Sequence, residues 1–277
     1  MIIRSFILLT AGAGALAMPT APRDNIHAAV ADSSRCSPNE TLVSPQLPSA
    51  TATTRHPFTI GEHLHYNVKF GIMPVGSGVM WLTARDTTRG IGTWRAMFAT
   101  SGGFGKLSAH DTSTSWFDSV SFTSYRFVEH VHDPGYHALR DTQIYPERMI
   151  YRKNDESEEP SVSGPMDEVS LVYFVRTLPL EPHECYVLNR YFKPDGNPVV
   201  IHVLRREEIK VPAGKFKAIV VRPEITTSGM FSKGGKAELW LSDDSARVVL
   251  QLRSKVPKLP FGSLSLFLTR VESEPPR

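Results

Sequence analysis

Cysteine is scarce and wrongly spaced for redox or zinc chemistry: the 277 residues include 2, Cys36 and Cys185, and neither belongs to a Cys-x-x-Cys pair. Zinc ribbons and thioredoxin-type sites are excluded. A dominant charge is missing too. The 31 basic and 28 acidic residues leave a formal charge of +3 with no basic run, so nucleic acid has no electrostatic footprint to bind. Beyond the N-terminus no stretch reaches the ~20 apolar residues of a spanning helix. No internal repeat of solenoid or propeller type is visible. The glycines of "SGGFGK" do not make a phosphate loop, because Thr100 stands where the first glycine is required and Leu107 where Ser or Thr must follow Lys106.

What is present begins with a leader. Arg4 precedes an apolar stretch from Phe6 to Met18, short and rich in Gly and Ala, which is the profile of a secretory signal peptide over residues 1–31. Two small-x-small sites place cleavage after Ala17 or Ala31; an uncleaved membrane anchor is the other reading. Asp32-Ser-Ser-Arg before Cys36 lacks the apolar pattern of a lipid-modified cysteine. Residues 32–56, rich in Pro, Ser, Thr and Ala, read as a flexible linker, and residues 273–277 as a disordered tail. Export makes a Cys36–Cys185 disulfide available, worth about 5 kcal/mol by the chain-entropy model for so long a loop. Two free thiols remain the alternative, since Cys36 lies in the linker.

From Pro57 to residue 272 the chain reads as a single β-rich domain. With 41% hydrophobic and 21% charged residues it can bury a core. In "EHLHYNVKF" Leu64, Tyr66, Val68 and Phe70 share one face and His63, His65, Asn67 and Lys69 the other, as in a half-buried strand. A turn at "GIMPVGSG" leads to strands at "VMWLTAR", "TWRAMFATS", Lys106 to Asp118, "FTSYRFVEHV" and "RDTQIYPERMIYRK". The rhythm breaks once. Asp167 is placed to cap a helix in which Val169, Leu171, Val172, Phe174, Val175 and Leu178 recur at helical spacing before Pro179 stops it. Strands resume at "NPVVIHVLRREEIKVP", "KFKAIVVRPEI", "KAELWLSDD", "ARVVLQLRS" and "SLSLFLTRVES". The expected fold class is mainly β: a curved antiparallel sheet or open barrel-like meander with one helix packed on or in it.

Candidate chemistry is thin. Asp243 and Asp244 sit between two apolar runs, where Ser-Asp-Asp-Ser suits a reversal better than a catalytic pair. His130 and His132, two apart on a strand, present both imidazoles to one face and form the metal candidate, with Asp133 and His137 nearby and His63 and His65 as further ligands if their strands pair. Gly76-Ser77-Gly78 is not a nucleophile elbow, and His110 and Asp111 are adjacent and so face opposite ways. Large apolar residues are core by default, yet Tyr66, Phe70, Trp81, Trp94, Trp240 and Phe267 could line an apolar pocket on a curved sheet.

"PFTIGEHLHYNVKFGIMPVGSGVMWL", through Gly61, Glu62, Leu64, Tyr66, Gly76 and Gly78, resembles the opening of a bacterial exported family called domain of unknown function 3108. "VPAGKFKAIVVRP" is similar to its Gly-x-Phe turn, and "AELWLSDDSARVVLQLRSKVP" followed by "FGSLSLFLTRVE" to its closing hairpin. The resemblance runs from Pro57 to Val271. It implies export and a curved antiparallel β architecture around one helix; it implies no established activity and carries no catalytic residues. The expectation is an exported, periplasmic or extracellular, non-enzymatic β protein with no cofactor and no nucleic acid. It would bind or carry an apolar or lipid-like envelope component, or support an envelope complex through a protein partner. The alternatives are a metal-dependent hydrolase using His130 and His132, and a surface protein docking through the loop at residues 226–235.

Overall fold

The computed structural model describes residues 36–43, 56–104, 107–226, 231, 236–255 and 263–273. The leader with both cleavage sites, residues 274–277 and most of the 226–235 loop lie outside the described residues.

Among the described residues fifteen strands form one sheet. They are β1 (Thr41–Leu42), β2 (Glu62–Phe70), β3 (Met73–Thr88), β4 (Ile91–Phe104), β5 (Leu107–Phe117), β6 (Ser124–Asp133), β7 (Tyr136–Tyr145), β8 (Ile150–Lys153), β9 (Glu158–Pro160), β10 (Glu184–Leu188), β11 (Val199–Val211), β12 (Gly214–Glu224), β13 (Glu238–Ser242), β14 (Val249–Lys255) and β15 (Ser263–Ser273), with one helix, α1 (Glu168–Thr177), between β9 and β10. The spatial order is β1-β10-β11-β12-β13-β14-β15-β2-β3-β4-β5-β6-β7-β8-β9, so the sheet is not closed into a barrel. The β1–β10 pair is parallel and the others are antiparallel. Both edge strands are short, 2 residues in β1 and 3 in β9, which limits edge-to-edge association.

Register shifts interrupt six of the pairings among the described residues, and such bulges bend and coil a sheet. The bending wraps the sheet about α1. Residues Val169 to Arg176 are all buried, so the helix has no solvent face despite its amphipathic-looking sequence. It contacts the inner faces of β2, β5 and β6 and the β13–β14 turn, strands far apart in sheet order. Its rings complete an aromatic cluster: Tyr173 lies 4.9 Å from Phe58 and 5.8 Å from Phe117, and Phe174 5.8 Å from Phe122, centroid to centroid.

Asp167 caps α1 as its position foretells, accepting from the Val169 and Ser170 backbone N–H groups. The segment "GIMPVGSG", by contrast, is not a turn throughout. Gly71 and Ile72 make the reversal, and β3 begins at Met73. Gly76 stands opposite Gly102 of β4, and a Cβ on Gly76 would come 2.0 Å from the Ser101 carbonyl oxygen. These glycines permit a close approach of two strands in mid-sheet, a role that composition alone does not separate from a turn. β10, five residues between turn signals, escaped the alternation pattern because it is short and mostly buried.

Inside the stretch read as a linker, residues 36–43 are docked. Cys36 is disulfide-bonded to Cys185 of β10, 149 positions away, β1 pairs with β10, and Glu40 meets the His202 Nδ1 at 2.8 Å.

Candidate functional site

α1 carries a buried charged or polar group at each end. Near its C-terminus Arg176 is fully enclosed and makes a bidentate pair with Glu62 of β2, at 2.6 and 2.9 Å. Its Nε also donates to the Arg247 carbonyl at 2.9 Å and Nη2 to that of Ala246 at 3.2 Å, so the helix grips the β13–β14 turn. The guanidinium lies over the rings of Phe58, at 4.7 Å, and Tyr173, at 5.6 Å. With its fork committed to Glu62 and two carbonyls, Arg176 pins the turn and strand to the helix rather than waiting for a substrate.

At the N-terminus Asp167 is fully buried and also accepts from the Ser115 hydroxyl at 2.5 Å, while its own N–H donates to Ser124 and Ser170. Burial pushes its carboxyl up to about 6, against the opposing pull of the hydrogen bonds from Ser115, Ser170 and Ser124.

Next to this end, β5, β6 and β7 present a second polar group to the concave side. Glu129 faces Ser113 of β5 and Arg140 of β7 across the ladder, with Arg140 Nη1 at 3.8 Å from its carboxylate. Arg140 Nη2 donates to the Tyr136 hydroxyl at 3.0 Å. Glu168, the first residue of α1, accepts from the Tyr191 hydroxyl at 2.6 Å through Oε1. Its Oε2 is buried without a hydrogen-bond partner, as is Arg140 Nη1. Burial, then the charge of Glu168, raises the Glu129 carboxyl to about 7 against the pull of Arg140 and Lys193. Burial and the charge of Asp133 raise Asp111 in the same region. Aromatic side chains border the group: Phe192 lies 6.3 Å from Phe127, 5.2 Å from Tyr151 and 4.9 Å from Tyr191. A carboxyl near its midpoint at neutral pH, an arginine whose Nη1 makes an ion pair but no hydrogen bond, and a phenol can hold a ligand's hydroxyl or charged group in a dry setting.

The apolar lining expected from the sequence divides between two faces. Tyr66 points inward and donates to the Val249 carbonyl at 2.9 Å, and Trp94 packs inward on Phe58 and Phe117. Phe70 is half-buried at the end of β2. Trp81 lies opposite His63, on the face turned away from Leu64 and Tyr66, with the two rings 4.1 Å apart. Trp240 and Phe267 both pair with Gln251, and Phe267 also with Asn67, so they share the outer face. There Trp240 Nε1 donates to Glu207 at 2.5 Å and Lys69 lies over Phe267 at 5.3 Å.

His130 and His132 are exposed on β6, the latter with its ring 3.9 Å from that of His137. Their strand is separated from β2 by β3, β4 and β5, so His63 and His65 do not join them. The converging ligand groups among the described residues are Cys36/Glu40/Cys185, where the sulfurs are bonded to each other, and His63/His65/Glu272. His130 and His132 belong to neither, which leaves the hydrolase alternative without support. Asp243 and Asp244 make a turn: Asp244 Oδ1 accepts from Ser242 Oγ and from the N–H groups of Ala246 and Arg247, while Asp243 pairs with Arg206 and Arg247.

What sequence reasoning missed is the partnership across the chain. Glu62 carries part of the family resemblance but no sign of a buried partner, and neither Arg176 nor the set of Glu129, Arg140 and Glu168 carries a local signal. Charges inside otherwise apolar alternation, such as Glu129 between Phe127 and Val131, were the available clue.

No helix among the described residues is long and apolar enough to cross a membrane. Of solved structures, the β-barrel-like protein of domain of unknown function DUF1849 from Brucella abortus is similar at 8% identity, covering 78% of this chain and 98% of that one with a TM-score of 0.49. A Parabacteroides distasonis protein described provisionally as a lipoprotein is 10% identical, with coverage of 78% and 97% and a TM-score of 0.33. A Bacteroides fragilis protein with a YmcC-like fold, described provisionally as exported, is 13% identical, with coverage of 79% and 98% and a TM-score of 0.33. No curated protein matches the sequence. The model of the family described as protein of unknown function DUF3108 matches residues 65–269, most of the chain from β2 to β15, and the chain therefore belongs to that family.

Proposed function

We propose that this is an exported, non-enzymatic binding protein of the cell envelope that takes an amphipathic, lipid-like component on the concave side of its sheet. Export is supported by the leader-like N-terminus and by the Cys36–Cys185 disulfide, a bond that persists in oxidising compartments. The observation that carries the binding role is the polar group beside the N-terminus of α1. Buried donors and acceptors are nearly always paired, and here Glu168 Oε2 has no hydrogen-bond partner, while Arg140 Nη1 makes no hydrogen bond and has the Glu129 carboxyl, raised to about 7, at 3.8 Å. A ligand headgroup would satisfy them, with its apolar part against the aromatic border of Phe127, Tyr151 and Phe192.

The test is native mass spectrometry of the processed chain purified from the periplasm. A bound envelope species is expected, lost by at least tenfold in Arg140→Met and Glu168→Leu variants that keep the wild-type circular dichroism. Wild-type protein that carries nothing, and takes up nothing from envelope lipid extract, would remove the proposal.

A further inference from the structure

The geometry points to a divalent transition-metal site on the outer face of the sheet, built by His63, His65 and Glu272 where β2 meets β15. It lies on the opposite face from the proposed ligand group and stands independently of it.

His63 and His65 alternate along β2 and so project from one face. Glu272 of β15 reaches that face through a bulge. The β15–β2 register slips by one residue between Leu268 and Arg270, which sets Glu272 opposite His63 and Arg270 opposite His65. Without the slip Glu272 would stand opposite Glu62 on the concave side, and the triad would not exist.

The three ligand atoms lie within 4.8 Å of one another. His65 Nε2 and Glu272 Oε2 are already 3.0 Å apart, a few tenths of an ångström inside the roughly 3.3–3.6 Å edge of a tetrahedron whose ligands lie about 2.0–2.2 Å from one ion. Two imidazoles and a carboxylate suit zinc, copper or nickel better than magnesium or calcium.

The surroundings fit the same role. Arg270 Nε holds Glu272 Oε1 at 2.6 Å, orienting the carboxylate and leaving Oε2 turned to His65, as an outer-sphere partner does. Trp81 stands opposite His63 on the other side, ring centroids 4.1 Å apart, and covers one flank of the site; its Nε1 is buried without a hydrogen-bond partner. The location has a structural meaning. β2 and β15 join the half of the sheet running from β2 to β9 to the half running from β10 to β15, so an ion there would tie the two halves together. His63 and Glu272 fall just outside the residues the family model matches.

Isothermal titration of untagged protein with zinc chloride tests the site, with copper(II) quenching of tryptophan emission as a second readout. One zinc per chain is expected. His65→Ala and Glu272→Ala should each weaken it at least tenfold with unchanged circular dichroism, and His130→Ala/His132→Ala should leave it unaltered. Trp81→Phe should keep the zinc stoichiometry and lose most of the copper quenching. Absence of stoichiometric zinc binding would overturn the proposal, as would binding that survives His63→Ala/His65→Ala or disappears with His130→Ala/His132→Ala.

Discussion

At the C-terminal end of α1 a buried charge is met by a charge, Arg176 against Glu62; at the N-terminal end Asp167 is met by hydroxyls and backbone N–H groups. The first arrangement links four segments, because Arg176 also holds the Ala246 and Arg247 carbonyls and lies over Phe58. It leaves little freedom to either partner. The second arrangement keeps the carboxyl solvated by dipoles, but burial still raises it to about 6, so its protonation changes within a range that proteins meet. A charge answered by a charge makes a pin, and a charge answered by dipoles makes a group that responds to pH.

The comparison is broken most strongly by removing one charge of the pin. Glu62→Gln should destabilise the fold by about 3–5 kcal/mol in urea unfolding, because Arg176 is left buried without its counter-ion. Glu62→Leu combined with Arg176→Met should be more stable than either single variant, since a well-packed apolar pair avoids the desolvation of two ions. Single-variant losses below about 1 kcal/mol would mean that the pair is not a pin.

At the other end Asp167→Ala should cost about 1–2 kcal/mol, the loss of an N-cap together with an orphaned Ser115 hydroxyl. Asp167→Asn sharpens the contrast through pH. A carboxyl near 6 in the folded state and about 3.9 in the unfolded chain favours folding while protonated. That contribution is fully present below about pH 4 and is lost as pH rises through about 6. Stability should therefore fall with rising pH across this window by up to ~1.4 kcal/mol per pH unit from this group, and Asp167→Asn should lack that component. Glu129, at about 7, acts with the same sign to higher pH, so a Glu129→Gln background isolates the Asp167 slope. A wild-type minus Asp167→Asn difference that is flat from pH 4 to 6 would refute the assignment. The smallest effect belongs to Ser115→Ala, about 1 kcal/mol, with the Asp167 window extended to higher pH because a hydrogen bond that favours the carboxylate is gone.

Local grammar was legible where a few neighbouring residues decide the outcome. Asp167 before an apolar run stopped by Pro179 is such a case, as is Ser-Asp-Asp-Ser between two strands, since cap and turn hydrogen bonds close within a few positions. The six residues proposed as one apolar wall show the opposite. Chosen for size, they come from five strands, and Trp81, Trp240 and Phe267 each stand between two buried neighbours (Met80 and Leu82, Leu239 and Leu241, Leu266 and Leu268), so alternation turns them away from the face of Tyr66 and Trp94.

The sequence by itself determined a strand-rich fold with one capped helix, the turn at Asp243 and Asp244, and the family to which the chain belongs, because alternation, capping and turn chemistry act over a few residues. Only the tertiary structure decided that the helix is enclosed, that Cys36 meets Cys185, that Arg176 finds Glu62, 114 positions away, and that Glu272 joins His63 and His65. Those partnerships depend on strand order and bulge register, which arise when distant segments pack and are written in no local stretch of the chain.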